Sequence, residues 1–326
     1  MSVKLIKKSI SASGGENIRI DKFLANQILN MTRTQIKKLF LNGLVQVNES
    51  FAKPGSILKG DEIITFSVPG IDQNLDQIEP EDISLNILYE DESIIAINKP
   101  SGLVVHPGAG HKQGTLVNGL IYHFQQLSDI NGPIRSGIVH RLDKDTSGVI
   151  LIAKSNVVHR SLAYQFEKRT IKKEYFSITW GKWKDSKGVM SGNIHRKRTD
   201  PTSYEINNKG REAITEYNVL KTGEYLSEVL FLPKTGRTHQ IRVHSAENNN
   251  PIFGDKKYGG GKNKAKGYIP EVSKKFTEAI LDFNRHALHA KKITFIHPDK
   301  DDELSIDAPI PKDILKLQKQ LKIINE

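Results

Sequence analysis

Hydrophobic positions along the chain follow two rhythms, a short helical one and a long strand-like one, with a polar stretch between them. In the first, Phe23, Leu24 and Ile28 recur at helical spacing, as do Ile36, Leu39 and Phe40, which predicts two short amphipathic helices. Thr32 or Thr34 stands where an N-cap would open the second helix, and Gly43 where it would end. "LVQVN" then alternates as a strand, and "KGDEIITFSV" turns at Lys59-Gly60-Asp61 into another. Residues 16–70 therefore read as a small α/β module.

Residues 71–84, inside "PGIDQNLDQIEPEDIS", are acidic and without period, and read as a linker to a second domain over 85–326. There "SIIAINK", "GVILIAK", "EYFSITWG", "TEYNVL", "SEVLFL" and "HALHAKKITFI" predict strands, and Val158, Leu162 and Phe166 mark a helix. Strands outnumber helices, which favours an α+β fold on a mixed, mainly antiparallel sheet over a doubly wound parallel one. "YGGGKNKAKGY" is glycine- and lysine-rich and reads as a mobile surface loop.

Composition narrows the function. The 326 residues carry 48 Lys and Arg against 37 Asp and Glu, a formal charge of +11, and no cysteine. The excess clusters: from His159 to Lys184 seven Lys/Arg meet two Glu, and from Gly254 to Lys275 seven Lys meet one Asp and one Glu, +5 in each case. A polyanion is the expected partner. The lack of cysteine removes disulfides, thiolate metal sites and a thiol nucleophile, and suits a reducing compartment, so the cytoplasm is the expected location. No apolar run approaches the roughly 18 residues a membrane span needs, and the lysine-broken start offers no signal-peptide core.

Three stretches carry chemistry. In "SGIVHRLDKDTSGVILIAKS" turn formation accounts for Asp145, Ser147 and Gly148. It leaves His140, Arg141 and Asp143 beside a buried strand, where charges are paired or functional. In "LFLPKTGRTHQIRVHSA", Arg237, His239, Arg242 and His244 alternate beside Ile241 and Val243. A metal would want a carboxylate among its ligands and this segment has none, so a buried arginine answering the buried aspartate is the more natural reading. In "KRTIKKEYFSITWG", Tyr175 stands among basic residues at a strand start, where its ring could stack on a base or simply fill the core.

Taken together these segments resemble two known families. "RIDKFLA", "TRTQIKKLFLNGLVQVN" and "LKGDEI" are similar to the S4 RNA-binding domain, whose RNA-facing helix maps onto Arg33, Gln35, Lys37 and Lys38; Asn48-Glu49-Ser50 departs from the family's usual Asn-Gly and basic residue. "GIVHRLDKDTSGVILIAKS", "KKEYFSITWG", "PKTGRTHQIRVHSAENNNPIFGDKKYGG" and "HALHAKKITFIHP" resemble, in order and spacing, the RluA family of RNA pseudouridine synthases, nearest its D-type enzymes of large-subunit ribosomal RNA. The resemblance implies a catalytic domain of the pseudouridine synthase fold with Asp143 as nucleophile, Arg242 pairing with it and Tyr175 stacking on the uracil. Arg141, with His140 beside it, would enter the RNA where the base has left, and Arg237 would hold phosphate. It implies action on structured RNA, 23S rRNA or the assembling large subunit, with no metal and no cofactor, and since no long heptad or large apolar face asks for a partner, a monomer is expected. A transfer RNA substrate, or an assembly factor that has lost the chemistry, remains open at this stage.

Overall fold

The computed structural model describes residues 5–27, 33–69, 78–108 and 111–321, and the chain divides into two compact units, Met1–Gln77 and Ile78–Glu326. In the first, β1 (Leu5–Ser11), α1 (Ile20–Gln27), α2 (Arg33–Leu41), β2 (Val45–Val47), β3 (Ser50–Phe51) and β4 (Ile63–Pro69) form an antiparallel sheet of order β1-β4-β2-β3 with two helices. Phe23 and Leu24 of α1 and Ile36, Leu39 and Phe40 of α2 bury themselves with Ile64 and Phe66 of β4, the faces their spacing predicts. Ile28 and Thr32 lie outside the described residues; α2 opens at Arg33, so Thr34 is inside the helix and not its cap. Asn48 and Glu49 both adopt positive φ, 44° and 66°, the two-residue turn that joins β2 to β3. β1 is a strand the side-chain pattern did not announce.

The second unit holds β5 (Ile87–Glu90), β6 (Ile94–Lys99), α3 (Leu116–His123), β7 (Ser147–Ala153), α4 (Asn156–Glu167), β8 (Lys172–Trp180), β9 (Lys187–Arg196), β10 (Tyr204–Ile206), β11 (Arg211–Thr222), β12 (Leu226–Pro233), α5 (Gln240–Glu247), α6 (Lys262–Ala265), α7 (Pro270–Phe283), β13 (Leu288–Ile296), β14 (Glu303–Asp307) and α8 (Lys312–Leu321). Nine strands run in the order β10-β9-β11-β12-β8-β13-β7-β6-β5, and β14 pairs with β13. The β13–β7 contact is parallel and the other pairings are antiparallel, so the sheet is mixed and mainly antiparallel as expected. One apolar cluster gathers β6, β7, α3 and α4; another gathers β8, β12, α7 and α8. The parallel seam lies where they meet. It needs Gly148, whose φ is +115° and where a Cβ would stand 2.2 Å from the Ala290 carbonyl oxygen of β13.

Two expectations change. Residues 78–84, read as linker, belong to the second unit: Asn118 of α3 donates to the Glu79 carbonyl at 2.8 Å and accepts at its own carbonyl from the Glu81 amide at 3.2 Å. "YGGGKNKAKGY" is also not a free loop, because the Trp180 indole donates to the Gly260 carbonyl at 2.9 Å and Ala265 is fully buried. A Cβ at Gly260 would stand 1.8 Å from the Ile252 carbonyl oxygen, and Gly259 holds a φ of +80°, so close packing at one glycine and backbone conformation at the other explain this pair.

Candidate active site

Beyond Gly148, β13 no longer covers the edge of β7, and the loop entering β7 takes its place. The Ala153 amide donates to the Gly137 carbonyl at 2.9 Å, Ile138 bridges to Ile152, and the Leu151 amide donates to Nε2 of His140 at 2.9 Å. The His140 ring lies against Phe166 with centroids 4.8 Å apart, and burial pulls its pKa down to about 3, which keeps the accepting nitrogen unprotonated. His140, expected to contact RNA, holds this loop and also lines the cavity into which the loop leads.

The loop then makes a tight turn whose carbonyls are taken one by one. The Asp143 carbonyl accepts from the Thr146 amide at 3.2 Å. That of Lys144 accepts from Lys99 Nζ and from the Gly102 amide, both at 2.9 Å. That of Asp145 accepts from Ser101 Oγ at 3.0 Å and from Arg285 Nη1 at 3.3 Å. Lys99 is fully buried and also donates to the carbonyls of Pro100 and Leu103; burial draws its pKa down to about 7 against the pull of Asp145 and Asp143. With Leu142 anchored in the core, the turn aims the Asp143 carboxylate into a cavity of about 580 Å³.

Asp143 is met there by α5. Its entry residue, His239, sits in the left-handed region at φ 56° and so starts the helix abruptly. Arg242 Nη1 donates to Asp143 Oδ2 at 3.0 Å, while its Nε and Nη2 clasp Asp255 at 2.7 and 2.9 Å. The guanidinium lies 4.9 Å from the centroid of the Tyr258 ring. Burial alone would raise the pKa of Asp143; the neighbouring His239 imidazole and Arg242 guanidinium outweigh it and hold the carboxyl below its ordinary value. Asp143 is thus ionised and aimed. His239 Nε2 stands 3.7 Å from Asp143 Oδ2, and its Nδ1 is bonded to the Tyr258 hydroxyl at 2.7 Å.

The same cavity collects Tyr175, Arg141 and Arg237. Tyr175 comes from β8 with its ring in the cavity wall; burial, and then the charge of Asp143, push its phenol pKa up, so it is uncharged. Arg141 is exposed at the rim, with Nη1 3.2 Å from His106 Nε2. Arg237 donates from Nε to the Glu212 carbonyl at 3.0 Å. His244 does not join them, since it turns away to Thr215 at 2.9 Å. In the first unit Lys37 and Lys38 are exposed on α2, and the side chains of Arg33 and Gln35 lie outside the described residues.

The cavity thus gathers an ionised carboxylate paired with a buried arginine, a tyrosine ring and further arginines, and comparisons with known proteins identify its family. The family model described as RNA pseudouridylate synthase matches residues 93–247. An RNA pseudouridine synthase of Aquifex aeolicus is 42% identical over 301 residues, 91% of this chain and 92% of that protein. The ribosomal large subunit pseudouridine synthase D of Escherichia coli O157:H7 is 37% identical over 300 residues, 92% of this chain and 89% of its own. The chain belongs to the RNA pseudouridine synthase family. Among solved structures, human RNA pseudouridylate synthase domain containing 4 superposes with a TM-score of 0.54 at 25% identity, over 73% of this chain and 93% of that one.

Two groups of this synthase's site escaped the sequence reading. Asp255, buried, is the bidentate partner of Arg242 and also accepts from the amides of Lys257 and Tyr258 at 3.1 and 3.2 Å. It stands in "FGDKKYGG", where the lysines drew attention as a charge cluster and the one acid looked like part of it. Arg285 is the other: it grips Asp313 of α8 at 2.7 and 3.0 Å and reaches the Asp145 carbonyl. The available signal was a lone arginine directly ahead of the apolar run "HALHAKKITFI".

Proposed function

We propose that this synthase converts uridines of the large-subunit (23S) ribosomal RNA to pseudouridine, with Asp143 as the covalent nucleophile. The observation that carries the reading is the chain Asp143–Arg242–Asp255, in which the buried guanidinium holds the Asp143 carboxylate ionised at the cavity. The likeness to the large-subunit enzyme of E. coli over nearly the whole length of both chains supports the choice of RNA. The carboxylate adds to the nucleotide, at C1′ of the ribose or C6 of the base. The bond from C1′ to N1 breaks, the uracil turns, C1′ bonds to C5, the bond to the Asp143 carboxylate breaks to return it free, the C5 proton leaves to solvent and N1 takes up a proton. The neutral Tyr175 suits a ring stacked on the extruded uracil; its raised pKa does not suit a resident base for the C5 proton. Arg141, exposed at the rim, fills the space the base leaves in the RNA, since a stacked uridine must be flipped before reaction. The first unit is an S4-like RNA-binding module that presents Lys37 and Lys38, and the enzyme acts as a monomer. Mapping pseudouridines in total RNA with and without the protein tests the assignment: loss at 23S positions is expected, and loss confined to transfer RNA would overturn it.

A further inference from the structure

Most cations that line the cavity are answered in the protein. Arg242 has Asp143 and Asp255, Arg169 has Glu212 at 3.3 Å, and Lys234 has Glu216 at 2.8 Å. Arg141 is exposed and solvated. Lys173 differs from all of these. It is half-buried in the cavity wall, and its Nζ has a single long contact, 3.4 Å to the Thr235 carbonyl, with no carboxylate in ion-pair range among the described residues. An ammonium taken from water without a counter-charge is unfavourable, and folded proteins pair or neutralise such groups. Burial accordingly draws its pKa down to about 8 with no acid pulling back, unlike Lys99, which Asp145 and Asp143 support.

The position of the missing partner follows from the strand. Lys173 and Tyr175 are two residues apart on β8 and share a face, roughly 7 Å apart along it. The turn at residues 234–238 closes the same side. Its Gly236 has open space where a Cβ would stand, and Arg237, held by Nε on the Glu212 carbonyl, faces the cavity from there. We propose that Lys173, with Arg237 opposite, forms a phosphodiester subsite that takes a backbone phosphate flanking the extruded uridine. The assignment rests on the cavity's reading as the RNA site. Binding then supplies the counter-charge that the free protein lacks, so a charge-assisted contact forms where water is scarce.

The test is a binding cycle with a synthetic RNA stem-loop whose loop contains only uridines, made with natural linkages and with one neutral methylphosphonate at a time. At one linkage the neutral group is expected to weaken wild-type binding about tenfold. Lys173→Met should weaken binding to natural RNA by a similar factor and be indifferent to that linkage alone, because both changes delete the same contact. Its logarithmic salt slope should fall by roughly 0.7 to 0.9, one phosphate's share. Lys173→Arg should keep the linkage penalty, and Lys173→Gln serves in the same cycle should the methionine variant not fold. Penalties that simply add in the double change overturn the subsite, as does a loss of kcat at unchanged KM, which would make Lys173 a participant in proton transfer. A wild type indifferent to every linkage would instead remove the RNA reading of the cavity itself.

Discussion

At the scale of single residues, the turn around Asp143 separates two aspartates of one motif. Asp143 offers its side chain to the cavity, whereas the turn uses the main-chain carbonyl of Asp145. Asp143→Asn is therefore expected to abolish isomerisation, read as tritium release from RNA labelled at uridine C5, with RNA affinity within a few-fold of wild type. Asp145→Asn should retain most activity, and the reverse outcome would exchange their roles. Arg242→Met removes the counter-charge of two carboxylates at once, so a stability loss of about 3–5 kcal/mol is expected with the rate loss. With the guanidinium gone, Asp143 loses both its charge and its hydrogen bond and the carboxyl pKa rises; activity should fall by orders of magnitude at neutral pH and recover partly in alkali, where the carboxyl ionises again. Asp255→Asn separates the effects, since it leaves the Asp143–Arg242 contact in place and should lower kcat with little change in KM. Arg237→Met should raise KM and keep the wild-type pH profile.

At the scale of elements, the active site exists because a parallel seam lets β7 emerge beside β13 with the catalytic turn directly ahead of it. Gly148→Ala should break that seam: the new methyl would meet the β13 backbone and the residue would be held at a φ that side chains resist, so a loss of about 3 kcal/mol or more in denaturant unfolding is expected. Six strands of this sheet, β6, β7, β8, β11, β12 and β13, were legible in the sequence because their apolar runs are long and bounded by turn residues, whereas β5, β9, β10 and β14 are largely exposed or half-buried and carry no such run. β1 was not, because it owes its conformation to pairing with β4, Ile10 opposite Ile64, and its lysines and serines show no face of their own. α5 hid for a different reason. Gln240 through Ser245 are all buried, so no polar side marks a helical period, and the spacing of its basic residues imitates a strand. That a buried arginine answers a buried aspartate was accessible, since a buried carboxylate calls for a directed cation; that the pair is Arg242 and Asp143, 99 positions apart, came from the family resemblance and holds in the structure. Asp255 was not, because the need for a second acid appears only once the guanidinium is seen to be enclosed.

At the scale of the whole molecule, two features of the charge distribution set how the protein responds to solution conditions. The chain divides at Ile78, and residues 78–84 pack with α3, so a truncation beginning at Ile78 should stay folded where one beginning at Leu85 strips part of that packing. The Ile78 truncation should bind long rRNA less tightly and with a flatter salt slope, and an unchanged slope would mean that the first unit makes no phosphate contacts. Acid acts on the second unit through buried histidines. Burial draws His140 and His286 down to about 3 and His244 and His289 down to about 4. Each is engaged in the fold: His140 with the Leu151 amide, His286 with Thr146, His244 with Thr215, and His289 with Ser147 and the Ala308 carbonyl. The unfolded chain takes up a proton at each near pH 6.5, while the folded one waits for pH 3 to 4. Between these values the unfolded state binds more protons, so stability is complete above about pH 6.5 and falls as the pH falls. Near pH 5 four uncompensated protons correspond to about 5 kcal/mol lost per pH unit, a third or more of a typical domain's stability. The net charge of +11 adds self-repulsion in the same direction. Urea unfolding between pH 7.5 and 4.5 should show at least that slope, with His286→Asn and His244→Asn together reducing it measurably, because two of the protons are then absent from both states, while His106, His159 and His239, also lowered by burial, keep their share. A stability flat from pH 7 to 5 would mean that these imidazoles are protonated as readily inside the fold as outside it.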